Sequence, residues 1–483
     1  MITRTTRHTR MRALGILLAA LSTTPVRAQG ATSPADRHVG NWQGALATPH
    51  GTLRLALTVT HDSTAGLAGV VTSLDQGNAR IPGLLTLHGD TLVLTMPAVS
   101  ASYTAVLTTS GDSLRGSFTQ GGNAMPLNMG RAAPPAVPKR PQEPQPPFPY
   151  RSRDVSFESV AGVRLAGTVL LPQGNGPFPA VVLVTGSGPQ NRDEELLGHK
   201  PFLVIADYLA RHGIASLRYD DRGTAQSTGK FSTATSADFA DDAEAAVQFL
   251  QVQPGIARHH IGIVGHSEGG LIAPMVAARS TDVAFIVLLA GPGIPGDSIL
   301  LLQTALISAV SGVPDGTVRR NNALNRRLFT AIKASRDSAD AALRIQQVSA
   351  QVIADLPAGE QALATRQVAA LATAYLSPWM QYFLRYDPVP ALRGVRVPVL
   401  ALGGTLDLQV PHKENLSAIE AALQAGGNRD YRAVTLSGLN HLFQSATTGS
   451  PAEYASIPET FSPGALATIG DWINARFGVG RTQ

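Results

Sequence analysis

The chain of 483 residues contains no cysteine. That absence excludes disulfides, a thiolate nucleophile, zinc–thiolate sites and lipid attachment at a cysteine. Stability must come from packed cores instead. Long apolar runs are also missing: Ala13 to Leu21 reaches about half of the roughly 20 residues that a membrane-spanning helix needs, and no later run does better. Charge is sparse at 15%, whereas 44% of the residues are hydrophobic, which excludes the composition of a disordered chain.

The excess of positive charge is local. Of the 39 Lys and Arg set against 34 Asp and Glu, Arg4, Arg7, Arg10, Arg12 and Arg27 all fall within the first 28 residues, which hold no acid. Without them the chain is balanced, so there is no electrostatic case for nucleic acid or anionic lipid as a partner. The same arginines, the apolar stretch Ala13 to Leu21 and the small-residue site Val26-Arg27-Ala28 have the form of an export signal. Residues 1–28 are therefore expected to be removed, leaving a periplasmic or extracellular protein. Lack of cysteine does not choose between those compartments.

A single hydrophobic core stops growing at roughly 250–300 residues, so at least two domains are expected. From 29 to 130 apolar and polar residues alternate, as in Leu53 to Val59 and Thr91 to Leu94. The turn dipeptides Gly89-Asp90, Gly111-Asp112 and Gly121-Gly122 divide these runs. This predicts a small antiparallel all-β domain, in the form of a meander or a barrel. Residues 131–150 are dense in proline, which favours extended backbone and predicts a stiff linker.

After Arg151 short apolar runs alternate with helical segments, the pattern of a largely parallel α/β sheet. Strands are expected at Pro179 to Thr185, Ile214 to Tyr219, His260 to Gly265, Val283 to Leu289, Val397 to Leu402 and Tyr431 to Leu436. Helices are expected at Leu196 to His212, Ala237 to Val252 and Leu271 to Arg279. From about 296 to 386 the strand pattern is interrupted by a mainly helical insertion, read as a cap.

Gly265-His266-Ser267-Glu268-Gly269 follows an apolar strand and precedes a helix. A Gly-x-Ser-x-Gly pentapeptide in that setting is a nucleophile elbow, in which glycines permit a tight turn that lifts the serine hydroxyl from the sheet. A serine hydroxyl needs a base within hydrogen-bond reach, and the base needs an orienting acid. Among 12 histidines, His441 lies after the last strand, where its loop can return over the sheet edge, while His412 begins a helix and His212 ends one. Asp407 follows the strand before and is the expected acid, with Asp297 as the alternative. The order Ser267, Asp407, His441 is the chain order of α/β-hydrolase triads. Backbone amides of Glu268 and of Ser187, in Thr185-Gly186-Ser187-Gly188-Pro189, are the candidate oxyanion donors.

With these segments in place, residues 151 to 477 resemble the α/β-hydrolase superfamily, close to its bacterial esterase and serine aminopeptidase-like branches. Asp220-Asp221-Arg222-Gly223-Thr224-Ala225-Gln226-Ser227 is similar to the family's Asp-x-Arg-Gly-x-Gly-x-Ser loop, with Ala225 at the usual glycine, which puts the loop's shape in question. The resemblance implies an α/β-hydrolase sheet with a helical cap, after the small all-β domain and linker, and no metal or organic cofactor. It does not extend to the all-β domain.

The expected activity is hydrolysis of a small-molecule carboxylic ester through an acyl-enzyme. An aminopeptidase or amidase would keep the same machinery but need a carboxylate for the substrate amine, from Glu194, Glu195 or the cap. A non-catalytic binder on a hydrolase scaffold is the reading from another class. Trp379, Tyr382, Phe383 and Tyr386 lie at helical spacing and would either line an acyl pocket or anchor the cap.

Overall fold

Alternating residues between Gly40 and Arg131 form eight antiparallel strands: β1 (Gly40–Thr48), β2 (Gly51–Asp62), β3 (Gly66–Ser73), β4 (Ala79–His88), β5 (Thr91–Met96), β6 (Ala101–Leu107), β7 (Ser113–Gln120) and β8 (Asn123–Arg131). Each pairs with the next, and β1 pairs with β8, closing a barrel. This computed structural model describes residues 35–48, 51–62, 66–74, 79–99, 101–120, 123–133, 139–355 and 374–478, with 358, 361, 365 and 372. The export signal read at residues 1–28 and the Gly121-Gly122 turn lie outside the described residues.

Inward side chains fill the barrel, among them Trp42, Leu57, Leu92, Leu94, Met96 and Tyr103, all fully buried. Gly69 and Gly83 face each other on β3 and β4. A Cβ on either would come within 2.6 or 2.7 Å of Leu94 Cδ1, so glycine makes room for that leucine. At the closing seam Arg131 lies 4.0 Å over the Trp42 ring and donates to the Val39 carbonyl at 2.6 Å.

The second sheet contains β9 (Tyr150–Glu158), β10 (Arg164–Pro172), β11 (Phe178–Val184), β12 (Ala215–Tyr219), β13 (Ile256–His266), β14 (Phe285–Leu289), β15 (Val399–Gly404) and β16 (Tyr431–Leu436). Their spatial order is β9-β10-β12-β11-β13-β14-β15-β16. Strand β10 runs antiparallel to both neighbours and the rest are parallel, giving an α/β-hydrolase sheet. Helices cover both faces. On one are α1 (Pro201–Arg211) and the C-terminal helix Pro463–Phe477, packed through Phe202, Ile205, Ile469 and Trp472; on the other are α2 (Ser236–Gln251) and α3 (Glu268–Ala277), packed through Ala243, Val247, Ile272 and Val276.

Two expectations need correction. Residues 196–200 are not helical: Leu197 (φ 53°) and Gly198 (φ 77°) turn the backbone, Leu196 bridges to His199, and the helix starts at Pro201, whose ring suits a first helical position. Strands β9 and β10 had no counterpart in the sequence reading. β9 is an edge strand whose residues between Tyr150 and Phe157 are mostly exposed, so its composition is polar.

The proline-dense segment does not run free where it is described. Arg140 donates to the carbonyls of Leu197, Ala455 and Ile457 at 2.8 to 3.0 Å, counting Ala455 as the shortest. The side chain of Gln142 bonds the backbone of Thr460 and Phe461. Arg140 and Gln142 thereby fasten this stretch to the α/β body.

Between β14 and β15 the insertion folds as α4 (Gly296–Val310), α5 (Asp315–Lys333), α6 (Ser338–Ala354) and α7 (Pro378–Arg385). Leu328, Phe329, Ile332, Ile345 and Leu384 give it a small core of its own. Among the described residues no helix is long and apolar enough to cross a membrane.

Candidate active site

Strand β13 is buried to its end and then reverses at Ser267, whose φ of 51° and ψ of −114° lie outside the ordinary wells. Such a conformation costs on the order of 1–3 kcal/mol and persists only where its surroundings dictate it. They do so here: a Cβ on Gly265 would sit 2.0 Å from the Gly269 carbonyl oxygen, and one on Gly269 would sit 2.1 Å from that of Val184. Ser267 N–H donates to Leu289 O at 2.8 Å, tying the turn to β14. The amide of Glu268 opens α3, at the positive end of the helix dipole.

The loops after β15 and β16 converge because Gly404 has no side chain. A Cβ there would lie 2.2 Å from Leu439 O. Asp407 and His441 are both buried, and His441 Nδ1 lies 2.9 Å from Asp407 Oδ2. The other carboxylate oxygen accepts the amides of Gln409 and Val410, each at 2.8 Å. The acid is thus fixed from both sides, and Nε2 is the ring nitrogen left for the cavity that His441 shares with Ser267. Asp297, the alternative acid, is held elsewhere by Lys333 at 2.6 Å.

After β11, the loop carrying Ser187 is clamped by carboxylates. Asp221 accepts Thr185 Oγ1 at 2.8 Å and Gln190 N at 2.9 Å, spanning the loop, and burial pushes its carboxyl well above the ordinary range. Glu194 accepts the Gly186 amide at 2.7 Å. With that amide taken, Ser187 carries the candidate donor facing the cavity.

Ser187, Ser267, Glu268 and His441 line a cavity of about 70 Å³, with Pro292, Ile299, Leu300, Phe383 and Val410 as apolar walls. Ligand pockets usually measure about 300–1,000 Å³, so the cap leaves little room here. Trp379 and Phe383 of α7 stack at 5.2 Å and face this cavity, whereas Tyr382 and Tyr386 line a separate groove on the other side of the helix. The aromatic stripe therefore serves two surfaces. Trp379 Nε1 donates to Glu268 Oε1 at 2.7 Å, and Ser236 Oγ donates to the same oxygen at 2.5 Å. Burial raises the Glu268 carboxyl above its ordinary value.

Glu194, a candidate for holding a substrate amine, is turned instead toward Gly186 and His266, and Glu195 is exposed beside Asn191. The sequence reading missed Asp221 and His266 as parts of the site and left Trp379 between an acyl pocket and a cap anchor; it lines the cavity. The signal was there for His266, an ionisable residue directly after the apolar run Ile261 to Gly265. Among the described residues no cluster of three or more His, Asp or Glu could hold a metal ion.

Comparison with known proteins covers the same part of the chain. Residues 161–442 match the family described as X-Pro dipeptidyl-peptidase (S15 family). Esterase EstD of Thermotoga maritima is 26% identical over 309 residues, a match that spans 64% of this chain and 64% of that protein, under two thirds of its length. An esterase of Pyrococcus furiosus aligns structurally over 68% of this chain and 91% of its own, with 16% identity and a TM-score of 0.41. A hypothetical protein of Pseudomonas aeruginosa aligns over 72% of this chain and 99% of its own, with 16% identity and a TM-score of 0.44.

Proposed function

This chain belongs to the family described as X-Pro dipeptidyl-peptidase (S15 family), within the α/β-hydrolase superfamily, and from that premise we propose that it is an exported serine hydrolase of small carboxylic esters. The observation that carries the reading is the buried His441–Asp407 pair opening on the same cavity as the strained Ser267. Ser267 Oγ attacks the acyl carbonyl while His441 Nε2 takes its proton. Asp407 holds the imidazole in the productive tautomer and balances the charge it gains. The Glu268 and Ser187 amides receive the oxyanion. The alcohol leaves with the proton from His441, and water then releases the acid by the same steps in reverse roles.

An ester is favoured over a dipeptide by the cavity's one lining carboxylate, Glu268. Its Oε1 is engaged by Ser236 and Trp379, and burial disfavours the charge that a substrate ammonium would need. The apolar walls and small volume suit short acyl groups, and the name of the Thermotoga relative agrees with an esterase. Residues 1–28 carry the proposal of export, and N-terminal sequencing of the secreted protein should begin after Ala28.

Labelling with a fluorophosphonate probe, abolished in Ser267→Ala, tests the nucleophile. Nitrophenyl acetate and butyrate should then be cleaved in preference to longer esters and to X-Pro anilides. Cleavage of X-Pro anilides alone would overturn the ester reading in favour of a peptidase, and a folded protein that takes no label would be a binder.

A further inference from the structure

Directly behind Ser267, His266 is held between two acceptors. Its Nδ1 lies 2.9 Å from Glu194 Oε1, the same oxygen that accepts the Gly186 amide at 2.7 Å. Its Nε2 lies 2.9 Å from the backbone carbonyl oxygen of His441. A carbonyl can only accept, so Nε2 must carry a proton; an ionised Glu194 carboxylate can only accept as well, so Nδ1 donates too. A ring with protons on both nitrogens is an imidazolium.

We infer that His266 is a positively charged positioning residue whose ion pair with Glu194 locks the oxyanion loop, the nucleophile turn and the base loop into one unit. This rests on the esterase reading for its consequences in catalysis, not for the charge itself. The pair touches each of the three segments: Gly186 through Glu194, Ser267 through the chain, and His441 through its carbonyl. Glu194 reaches inward from a backbone at φ 51°, a left-handed conformation uncommon for a non-glycine residue.

The charged and titratable groups facing the ring are Glu194, Asp407 and the His441 ring, whose centroid lies 4.9 Å away, with Asp221 beyond Glu194. Phe202, Leu289, Leu442 and Phe461 close the remaining sides, so water does not screen the charge. Burial by itself would lower the imidazole, but the Glu194 carboxylate and the two hydrogen bonds outweigh it, and the group titrates above its ordinary value.

The test uses the full chain labelled with ¹⁵N-histidine, with the His266 signals assigned by their loss in His266→Gln. Both ring nitrogens of His266 should be protonated at pH 7; a bare nitrogen at pH 7 overturns the inference. On nitrophenyl acetate, His266→Gln and Glu194→Gln should each lower kcat by about tenfold to a hundredfold through misplacement of the reacting groups. Both should leave KM within about twofold, because the apolar walls that hold the acyl group are untouched. A role in stability alone would lower activity only in step with the fraction of protein that still takes the fluorophosphonate label, and this too would overturn it. Should His266→Gln fail to fold, Glu194→Gln and the wild-type spectrum suffice. If Ser267 takes no fluorophosphonate while His266 is doubly protonated, the esterase reading fails and the ion pair stands. Labelling with a bare His266 nitrogen gives the reverse.

Discussion

The barrel and the α/β body bury different chemistry. Among the described barrel residues the buried polar side chains are His38, Thr72 and Ser73, and the interior is otherwise aliphatic and aromatic. The body buries Glu194, Arg218, Asp220, Asp221, Arg222, Asp242, His266, Glu268, Asp407 and His441. An unpaired charge in a protein interior is costly, so each of these is kept by partners. Arg222 is gripped by Asp242 and Asp238, and Arg192 by Asp220. Many of the others crowd around one serine. The difference separates a region whose described interior is held by apolar packing from one that gives up packing freedom to hold charges in place.

The sharpest way to break that contrast is to disarm the pair at the centre of the body. Asp407→Asn keeps an oxygen for the Gln409 and Val410 amides but presents an NH₂ group to His441 Nδ1, favouring the wrong tautomer. Activity on a short nitrophenyl ester should fall by about ten-thousandfold while the thermal midpoint barely moves. A loss below about tenfold would remove Asp407 from the proposed machinery.

In the barrel the same logic predicts the opposite pattern. Leu94 is fully buried and fills the space left by Gly69 and Gly83. Leu94→Ala should destabilise the barrel by about 2–5 kcal/mol in denaturant unfolding followed through Trp42. Turnover of soluble esters should be unchanged. A matching fall in kcat would mean that the barrel supports the site and would erase the division drawn above.

Legibility in the sequence follows the same line. Period-two alternation announces the barrel strands because each has one face in the core, and apolar runs such as Phe285–Leu289 announce the central strands because both faces are covered. The exposed edge strand β9 carries no such mark. Ser267, Asp407 and His441 could be proposed from the sequence because each follows a strand on one edge of the sheet. Glu194 and His266 are 72 positions apart and meet only after folding, so no local pattern pairs them. Trp379 was readable as part of a stripe, but which surface it faces depends on how α7 docks, and that is set by tertiary contacts with Glu268.

A third test titrates the body's buried groups. His199 is fully buried, with Nδ1 on Thr460 Oγ1 and Nε2 on the Tyr454 carbonyl, each at 3.0 Å. Burial and the nearby Arg140 push its imidazole down from 6.5 to about 4. The folded protein therefore keeps the ring neutral, while the unfolded chain takes up a proton near the ordinary value. Stability should accordingly fall as pH drops from 6.5 toward about 4. Denaturant midpoints measured across that window should show this slope, and it should flatten in His199→Gln. An unchanged slope in the variant would assign the acid sensitivity to other groups.

The smallest effect concerns the loop that departs from its family's pattern. Ala225 stands where a glycine is usual, and its φ is 47°, the left-handed conformation that glycine takes freely. Its neighbours leave it little choice: Thr224 N bonds Asp221 O, Ser227 N bonds Thr224 O, and Gln226 N bonds Asp220 Oδ2 at 3.2 Å. The loop thus keeps the glycine shape with an alanine in it, at a strain of about 1–2 kcal/mol. Ala225→Gly relieves that strain but frees the unfolded chain, so the net gain should be up to about 1 kcal/mol in denaturant unfolding, with ester turnover unchanged. A loss of stability would show that the Ala225 methyl group is held by contacts worth more than the strain, and the loop would then be shaped by packing rather than by its hydrogen bonds.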